Sequence, residues 1–203
     1  MKLFDASNPG TRATRVRWLL EELGAPYERE VLVFAKGDTK TPEYMARHPH
    51  GKVPAVELDG QRLIESAAIC IHLSDLHSAA GLAPALGTPE RALWYQWIVY
   101  AASTLDEPLI SRIFHTAIFP EERRDPALVE KADAVWALAG PYLESALEGR
   151  TWLLGDAFSS ADVVLGYDIA LAGRMGLLET YPALGAYLGR LSSRPAFQAA
   201  YTA

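Results

Sequence analysis

Three short stretches carry residues whose types and spacing could do chemistry. DASNPGTRATRV (5–16) sets two hydroxyls, Ser7 and Thr11, ahead of a helix-like run. A hydroxyl at a helix start can steady an anion, by a hydrogen bond and by the partial positive charge of the helix N-terminus. In HPHGKVPAVELDG (48–60), Val53-Pro54 stands where a strand-like run begins. Proline there removes a backbone donor and keeps the strand off the centre of an ordinary ladder. A trans bond on an edge strand is the default reading, and a cis bond needs a reason. Glu65-Ser66 opens a further helix, whose free N–H groups suit an anion. Taken alone, that pair simply starts a helix.

The remaining chemically capable residues read as structural. Cys70, between Ile69 and Ile71, has the setting of a small core residue. A redox-sensitive thiol would need exposure and a lowered pKa. FSSAD (158–162) has the form of a capping box, with Ser159 as N-cap, Asp162 three residues on and Phe158 as a hydrophobic staple. Asp replaces the more usual Glu or Gln, and its charge still suits a helix start. Ser159 and Asp162 are therefore folding devices.

The elements that must position these groups differ between the two halves of the chain. KLF (2–4) is a brief apolar run. Arg12 to Leu23 has Val16, Leu19, Leu20 and Leu23 at helical spacing, with Gly24 as a stop. Tyr27 to Phe34 contains an extended run. Pro42 to Arg47 is a short helix with Thr41 as N-cap. The Val53 strand, an Asp59-Gly60 turn, RLI (62–64) and a helix from Ser66 to His77 follow. The order β-α-β-α-β-β-α gives a βαβ unit, a hairpin and a closing helix, hence a mixed sheet. SAAGLAPALG (78–87) reads as a linker. From 88 to 203 almost everything is helical, and Val163, Val164, Leu165, Tyr167, Ile169 and Leu171 surround a helix that belongs inside a bundle. The expected division is 1–77, the linker 78–87, and an all-helical domain 88–203.

The bulk properties narrow the class. The 203 residues are half apolar and 22% charged, which describes an ordinary globular chain with a real core. A formal net charge of −6 disfavours nucleic acid as a partner. The single cysteine allows no internal disulfide. The N-terminus lacks the apolar run of a signal peptide, and no stretch reaches the roughly 20 apolar residues of a membrane span. A cytoplasmic, reduced environment is expected, and no membrane partner.

In combination the motifs point further. HPHGKVPAVELDGQRLIESAAICIHL resembles the glutathione-binding segment of the cytosolic glutathione S-transferases. LLGDAFSSADVVLGYDIAL resembles that family's C-terminal folding motif, and TRATRVRWLLEELGAPYE its first helix in bacterial, fungal and plant members. The resemblance covers essentially the whole chain. It implies a thioredoxin-like domain (α/β) with a cis Val-Pro bond, followed by an all-α bundle, usually as a homodimer. It also supplies the reason for Pro54. The bend would turn the N–H and C=O of Val53 towards a tripeptide thiol, which pairs with them like an added strand.

Further roles follow from the same resemblance. Glu65 would face the ammonium of glutathione and Ser66 its γ-glutamyl carboxylate. Lys40 and Lys52 are candidates for the glycyl carboxylate, and equally for solvated lysines; His50 is a weaker candidate. Thr11 falls where serine-type members resembling the plant phi class carry the hydroxyl that activates the thiol, and Ser7 is next in line. Phe4 and Asp5 stand where a catalytic tyrosine would be, and the loop holds no cysteine. Tyr100, Ser103 and Thr104 would line the second-substrate pocket, with Trp94 and Trp97 packed inside or at an interface. Arg112 and His115 could meet an anionic substrate, and read first as a solvated helix end. No metal is implied; glutathione is the co-substrate.

The activity implied is attack of an activated glutathione thiolate on a small electrophile, in the manner of detoxification, with peroxide reduction open to the same thiolate. A glutathione-dependent disulfide oxidoreductase or isomerase is the first alternative. A non-catalytic, glutathione-transferase-like binding or regulatory protein is the second.

Overall fold

The computed structural model describes residues 1–202. Its first unit runs from Met1 to Ala83 and takes in the chain from Ser192 onward; its second is Pro84–Leu191. The first contains β1 (Lys2–Ala6), α1 (Ala13–Leu23), β2 (Glu28–Leu32), α2 (Pro42–Met45), β3 (Ala55–Leu58), β4 (Gln61–Ile64) and α3 (Ser66–Leu76). The sheet order is β2-β1-β3-β4. β1 and β2 are parallel, joined by the α1 crossover; β3 runs antiparallel to both its neighbours. The mixed sheet expected from the order of elements is present. The β3–β4 turn is Asp59-Gly60, with φ of 50° and 77° at its two central residues. Two positive φ values in a two-residue loop match the right-handed twist of the strands it joins.

β1 is the central strand, and Leu3, Phe4, Asp5 and Ala6 are all buried. α1 lies against it. Every residue from Ala13 to Leu20 is buried, two arginines included. Gly24 closes α1 in the left-handed region (φ 58°), where its N–H reaches the carbonyls of Leu20 and Glu21. Thr41 caps α2, its hydroxyl accepting from the Tyr44 N–H at 3.2 Å.

The second unit is helical: α4 (Pro89–Tyr100), α5 (Asp106–Ile113), α6 (Pro126–Leu147), α7 (Ser160–Arg174) and α8 (Pro182–Ser192). α7 is the buried centre, with no exposed position from Ser160 to Ala172. Asp162 satisfies its carboxylate completely. It accepts from the Ser159 N–H (2.9 Å), the Ser159 hydroxyl (3.1 Å), the Leu153 N–H (3.0 Å) and the Tyr187 hydroxyl (2.9 Å). Trp94 is buried and donates to Ser160 Oγ at 3.1 Å. A π-helical turn, Ala101–Leu105, separates α4 from α5. Pro108 explains its place, since proline leaves the carbonyl four residues back without a donor and crowds it.

The last helix, α9 (Pro195–Tyr201), departs from the expected 88–203 division, because it belongs to the first unit. It packs on α1. Phe197 meets Trp18 edge-on at 4.9 Å. Arg194 holds both oxygens of Glu22 at 2.6 Å, and Arg17 reaches the carbonyls of Ala199 and Thr202 at the far end of the helix. A cation there complements the helix dipole.

Arg194→Ala removes a two-pronged, charge-assisted contact and leaves Glu22 only 8% exposed. The expected cost is about 1–3 kcal/mol, read as a lower urea midpoint. An unchanged midpoint would mean that the α1–α9 contact rests on its rings and on Arg17.

Candidate functional site

The turn from β1 to α1 holds the two candidate hydroxyls in different settings. Ser7 is half-buried, its N–H bonded to the Leu32 carbonyl (3.0 Å) and its hydroxyl to Asn8 Oδ1 (3.1 Å). Thr11 stands just before the helix, where its carbonyl accepts the Thr14 N–H at 2.9 Å. Gly10 N–H donates to Thr14 Oγ1 at 3.1 Å and fixes the approach. Thr11 Oγ1 is shielded from solvent and has no hydrogen-bond partner among the described residues. Buried hydroxyls are satisfied as a rule, so an orphan of this kind calls for a missing partner.

The segment leading into β3 is built to hold its backbone open. The Val53–Pro54 bond is cis. Pairing with β1 stops at Phe4↔Ala55, so Val53 lies beyond the ladder. Tyr44, buried beside Phe4, donates its hydroxyl to the Lys52 carbonyl at 2.6 Å. Lys40 donates to the carbonyls of His50 (3.2 Å) and Gly51 (3.4 Å). Its ammonium therefore braces the loop, whereas the Lys52 side chain is exposed. Gly51 has φ 56°, and a Cβ there would come within 2.5 Å of the Thr39 carbonyl oxygen. No other residue fits this corner.

Glu65 and Ser66 sit where the resemblance places them, at the start of α3. Glu65 adopts φ 70°, ψ 102°. A non-glycine residue in that region is strained and is kept only where its surroundings dictate it. Ser66 is buried, and its Oγ accepts from Arg15 Nη1 at 3.3 Å. That contact ties α1 to the α3 start, and reading the sequence passed over it. A signal was present: Arg15 is four residues before Leu19, hence on the buried stripe of α1. His48 was passed over too. It is 4% exposed, its Nδ1 accepts from the His50 N–H at 3.3 Å, and it senses the charge of Glu65.

The residues expected for a second substrate lie in the other unit. Tyr100 joins a ring cluster with Trp97 (6.0 Å) and Tyr142 of α6 (5.5 Å). Ser103 and Thr104 fall in the π-helical turn, exposed, and the Ser103 hydroxyl donates back to the Val99 carbonyl at 2.7 Å. Arg112 pairs with Asp133 at 2.6 Å, and His115 Nδ1 accepts from the Asp125 N–H at 2.9 Å. Both serve the packing of α5 and α6. Among the described residues no cluster of His, Cys, Asp or Glu is arranged for a metal, and no helix is long and apolar enough to cross a membrane.

A four-stranded mixed sheet with a cis proline ahead of β3 and a helix start beside it defines a thioredoxin-like domain, here joined to a helical one. Residues 1–75 match the glutathione S-transferase N-terminal domain and residues 107–195 the C-terminal domain, and the chain belongs to this family of transferases. Among curated relatives, glutathione S-transferase A of Pleuronectes platessa is 31% identical over 194 residues, covering 92% of this chain and 85% of that one. GstB of Escherichia coli is 29% identical over 199 residues, covering 93% and 92%. Among solved structures, a sphingomonad glutathione S-transferase complexed with glutathione is 32% identical, with a TM-score of 0.81 over 99% of this chain and 97% of that one. The bacterial enzyme BphK in a ternary complex is 28% identical, with a TM-score of 0.86 over 99% and 98%.

Two predictions concern the titratable groups in and under this site. Complete burial pushes the Cys70 thiol up to about 12. The folded protein should therefore resist iodoacetamide at pH 8, and the urea-unfolded chain should be alkylated. Labelling of the folded protein would show that α3 opens. For His48, burial and the neighbouring His50 hold the pKa below 6.5. The folded state then binds its proton later than the unfolded chain, so this contribution to stability is whole above pH 6.5 and is lost as pH falls through the lower, folded value. His48→Gln should flatten unfolding free energy against pH below 6.5, by at most about 1.4 kcal/mol per pH unit. Parallel profiles would remove His48 from the acid response.

Proposed function

We propose that the protein binds glutathione along the Val53–Ser66 side of the first unit and activates its thiol at the start of α1. The observation that carries this reading is Thr11 Oγ1, a shielded hydroxyl without a partner at a helix N-terminus. A thiol of pKa about 8.5 is mostly protonated at neutral pH, and each unit of lowering takes about 1.4 kcal/mol of preference for the anion. One hydroxyl donor and the helix dipole are of that order. The thiolate lone pair then forms a bond to an electrophilic carbon, the leaving group departs with its electron pair, and the thiol proton passes to solvent.

In this reading the main chain of Val53, beside Pro54, pairs with the cysteinyl part. Glu65 faces the ammonium and Ser66 the γ-glutamyl carboxylate. Lys52 is better placed than Lys40 for the glycyl carboxylate, because Lys40 is engaged with two carbonyls. Ser7 is the reserve activator. The electrophile would lie along the α4–α5 segment near Tyr100, Ser103 and Thr104. Peroxide reduction remains open to the same thiolate. Disulfide reduction is the second reading, favoured by a 28% identical transferase of Burkholderia graminis solved with two glutathione molecules per subunit. A homodimer is also proposed. Ala92, Gln96 and Val99 of α4 face outward with Leu138 and Tyr142 of α6, and Gln96 donates to the Tyr142 hydroxyl at 3.2 Å. Apolar groups bridged in this way suit a second copy of the chain.

Thr11→Val keeps the shape and deletes the donor. Glutathione affinity should stay nearly intact while conjugation of 1-chloro-2,4-dinitrobenzene falls about 10- to 100-fold. The ultraviolet thiolate band of bound glutathione should titrate at higher pH in the variant. Unchanged turnover and titration would remove Thr11 and turn attention to Ser7.

A further inference from the structure

Tyr44 is a core residue with a polar end. Its ring packs against Phe4 in the cluster that also holds Val53 and Ala55. Its hydroxyl leaves that cluster to donate to the Lys52 carbonyl at 2.6 Å. We propose that Tyr44 is a positioning residue, which holds the Lys52–Val53 peptide unit so that its N–H stands away from the core as a donor for a main-chain carbonyl of the thiol peptide. The proposal rests on the glutathione reading and adds to it the group that aims the Val53 N–H.

The carbonyl of Lys52 and the N–H of Val53 are the two ends of one peptide plane. That bond is trans, so the two groups point in opposite directions. A carbonyl turned inward to Tyr44 therefore means an N–H turned away from it. Among the described residues neither main-chain group of Val53 makes a hydrogen bond: pairing with β1 stops at Ala55, and no turn bond takes its place. Pro54 has no N–H, so the donor at this bend is that of Val53. A free N–H calls for an acceptor, and the carbonyl of an extended peptide laid alongside is the acceptor such a segment takes. The Tyr44 bond also polarises the amide and makes its N–H a better donor.

Tyr44 is itself held firmly enough for this task. At its backbone, the N–H is capped by the Thr41 hydroxyl (3.2 Å), and the carbonyl accepts from the N–H groups of Arg47 (2.8 Å) and His48 (2.9 Å). The ring is fixed by Phe4 at 5.8 Å. Burial, with the charge of Glu30, pushes the hydroxyl pKa far up, so the proton that makes the bond is present at neutral pH.

The test compares glutathione, by isothermal titration, with its trans-alkene isostere at the cysteinyl–glycine amide, which keeps the planar shape and lacks the carbonyl. The wild-type protein should favour glutathione by about 10-fold, the scale of one hydrogen bond. Tyr44→Phe keeps the ring and deletes the donor. It should bring the preference down to about 2-fold, with the loss falling on KM for glutathione more than on kcat. The Val53 amide proton, followed in proton–nitrogen correlation spectra, should move downfield when the wild-type protein takes up glutathione and stay in place with the isostere. In Tyr44→Phe without ligand it should start further upfield. A ring-fluorinated tyrosine at position 44 is a stronger donor and should move the same resonance downfield, which keeps the proposal testable if Tyr44→Phe does not fold. Equal losses for the two peptides in Tyr44→Phe would mean that Tyr44 only supports the fold, and would overturn the proposal. A Val53 resonance that neither substitution moves would do the same. A wild-type protein that binds glutathione without preferring it to the isostere would overturn the proposal alone. One that binds neither peptide would overturn the glutathione reading and the proposal with it.

Discussion

Two arginines buried in one short helix set the terms for everything packed around it. Taking a cation out of water costs several kcal/mol unless it is paired, so each neighbour of α1 has to bring acceptors as well as apolar surface. β1 brings Asp5, buried, whose Oδ2 lies 3.6 Å from Arg17 and 2.8 Å from Arg29 of β2. α9 brings the carbonyls of its last turn to Arg17. α3 brings Ser66 to Arg15. The helix is thus held from three directions by one ion pair and by hydrogen bonds, and the turn just before it is anchored with it. A hydroxyl that is to meet one atom of a ligand needs that fixity, since a misplacement of about 1 Å is enough to lose its effect.

The parts of this fold that can be read from the sequence are those decided by neighbours in the chain. Asp59-Gly60 predicts its turn because only a few residue types accept two positive φ values. Thr41 and the Ser159–Asp162 pair predict their helix starts because the capping atoms are three residues apart. α9 shows the limit. Its residues spell a helix plainly, but the partner that Arg194 and Phe197 choose is Glu22 and Trp18 of α1, at the other end of the chain. Nothing local distinguishes a helix that stays in its bundle from one that returns to the first unit. Arg15 was hidden for a related reason. An arginine reads as surface, and only its register with Leu19 places it inside.

The same logic divides the site. The part proposed for glutathione is made of a strand start, a backbone segment and two helix starts, each marked by short-range chemistry, so most of it was legible. What was not legible is how the lysines differ: Lys40 bonds to the loop carbonyls of His50 and Gly51, while Lys52 stays exposed. The residues proposed for a second substrate have no such grammar. Ser103 turns its hydroxyl to the Val99 carbonyl, Arg112 and His115 join α5 to α6, and Tyr100 settles among rings. A helix surface can satisfy its polar groups in many ways, and types alone do not say which are left for a ligand.

Threonine in place of serine at position 11 has a physical consequence of its own. Its β-branch restricts χ1, because the methyl takes up one of the staggered wells that a serine hydroxyl could visit. Here the methyl-bearing side chain is half-buried and Oγ1 is cut off from water. A serine could turn aside to solvent or to a backbone carbonyl when no ligand is bound. The threonine hydroxyl has fewer places to go, and it keeps its unsatisfied state at some cost to the folded protein. On the proposed reading that cost would be recovered on binding of a thiolate, because little reorganisation is then needed to make the hydrogen bond. Preorganised donors are effective for this reason, and on the proposed reading the orphaned hydroxyl at the start of α1 is one of them.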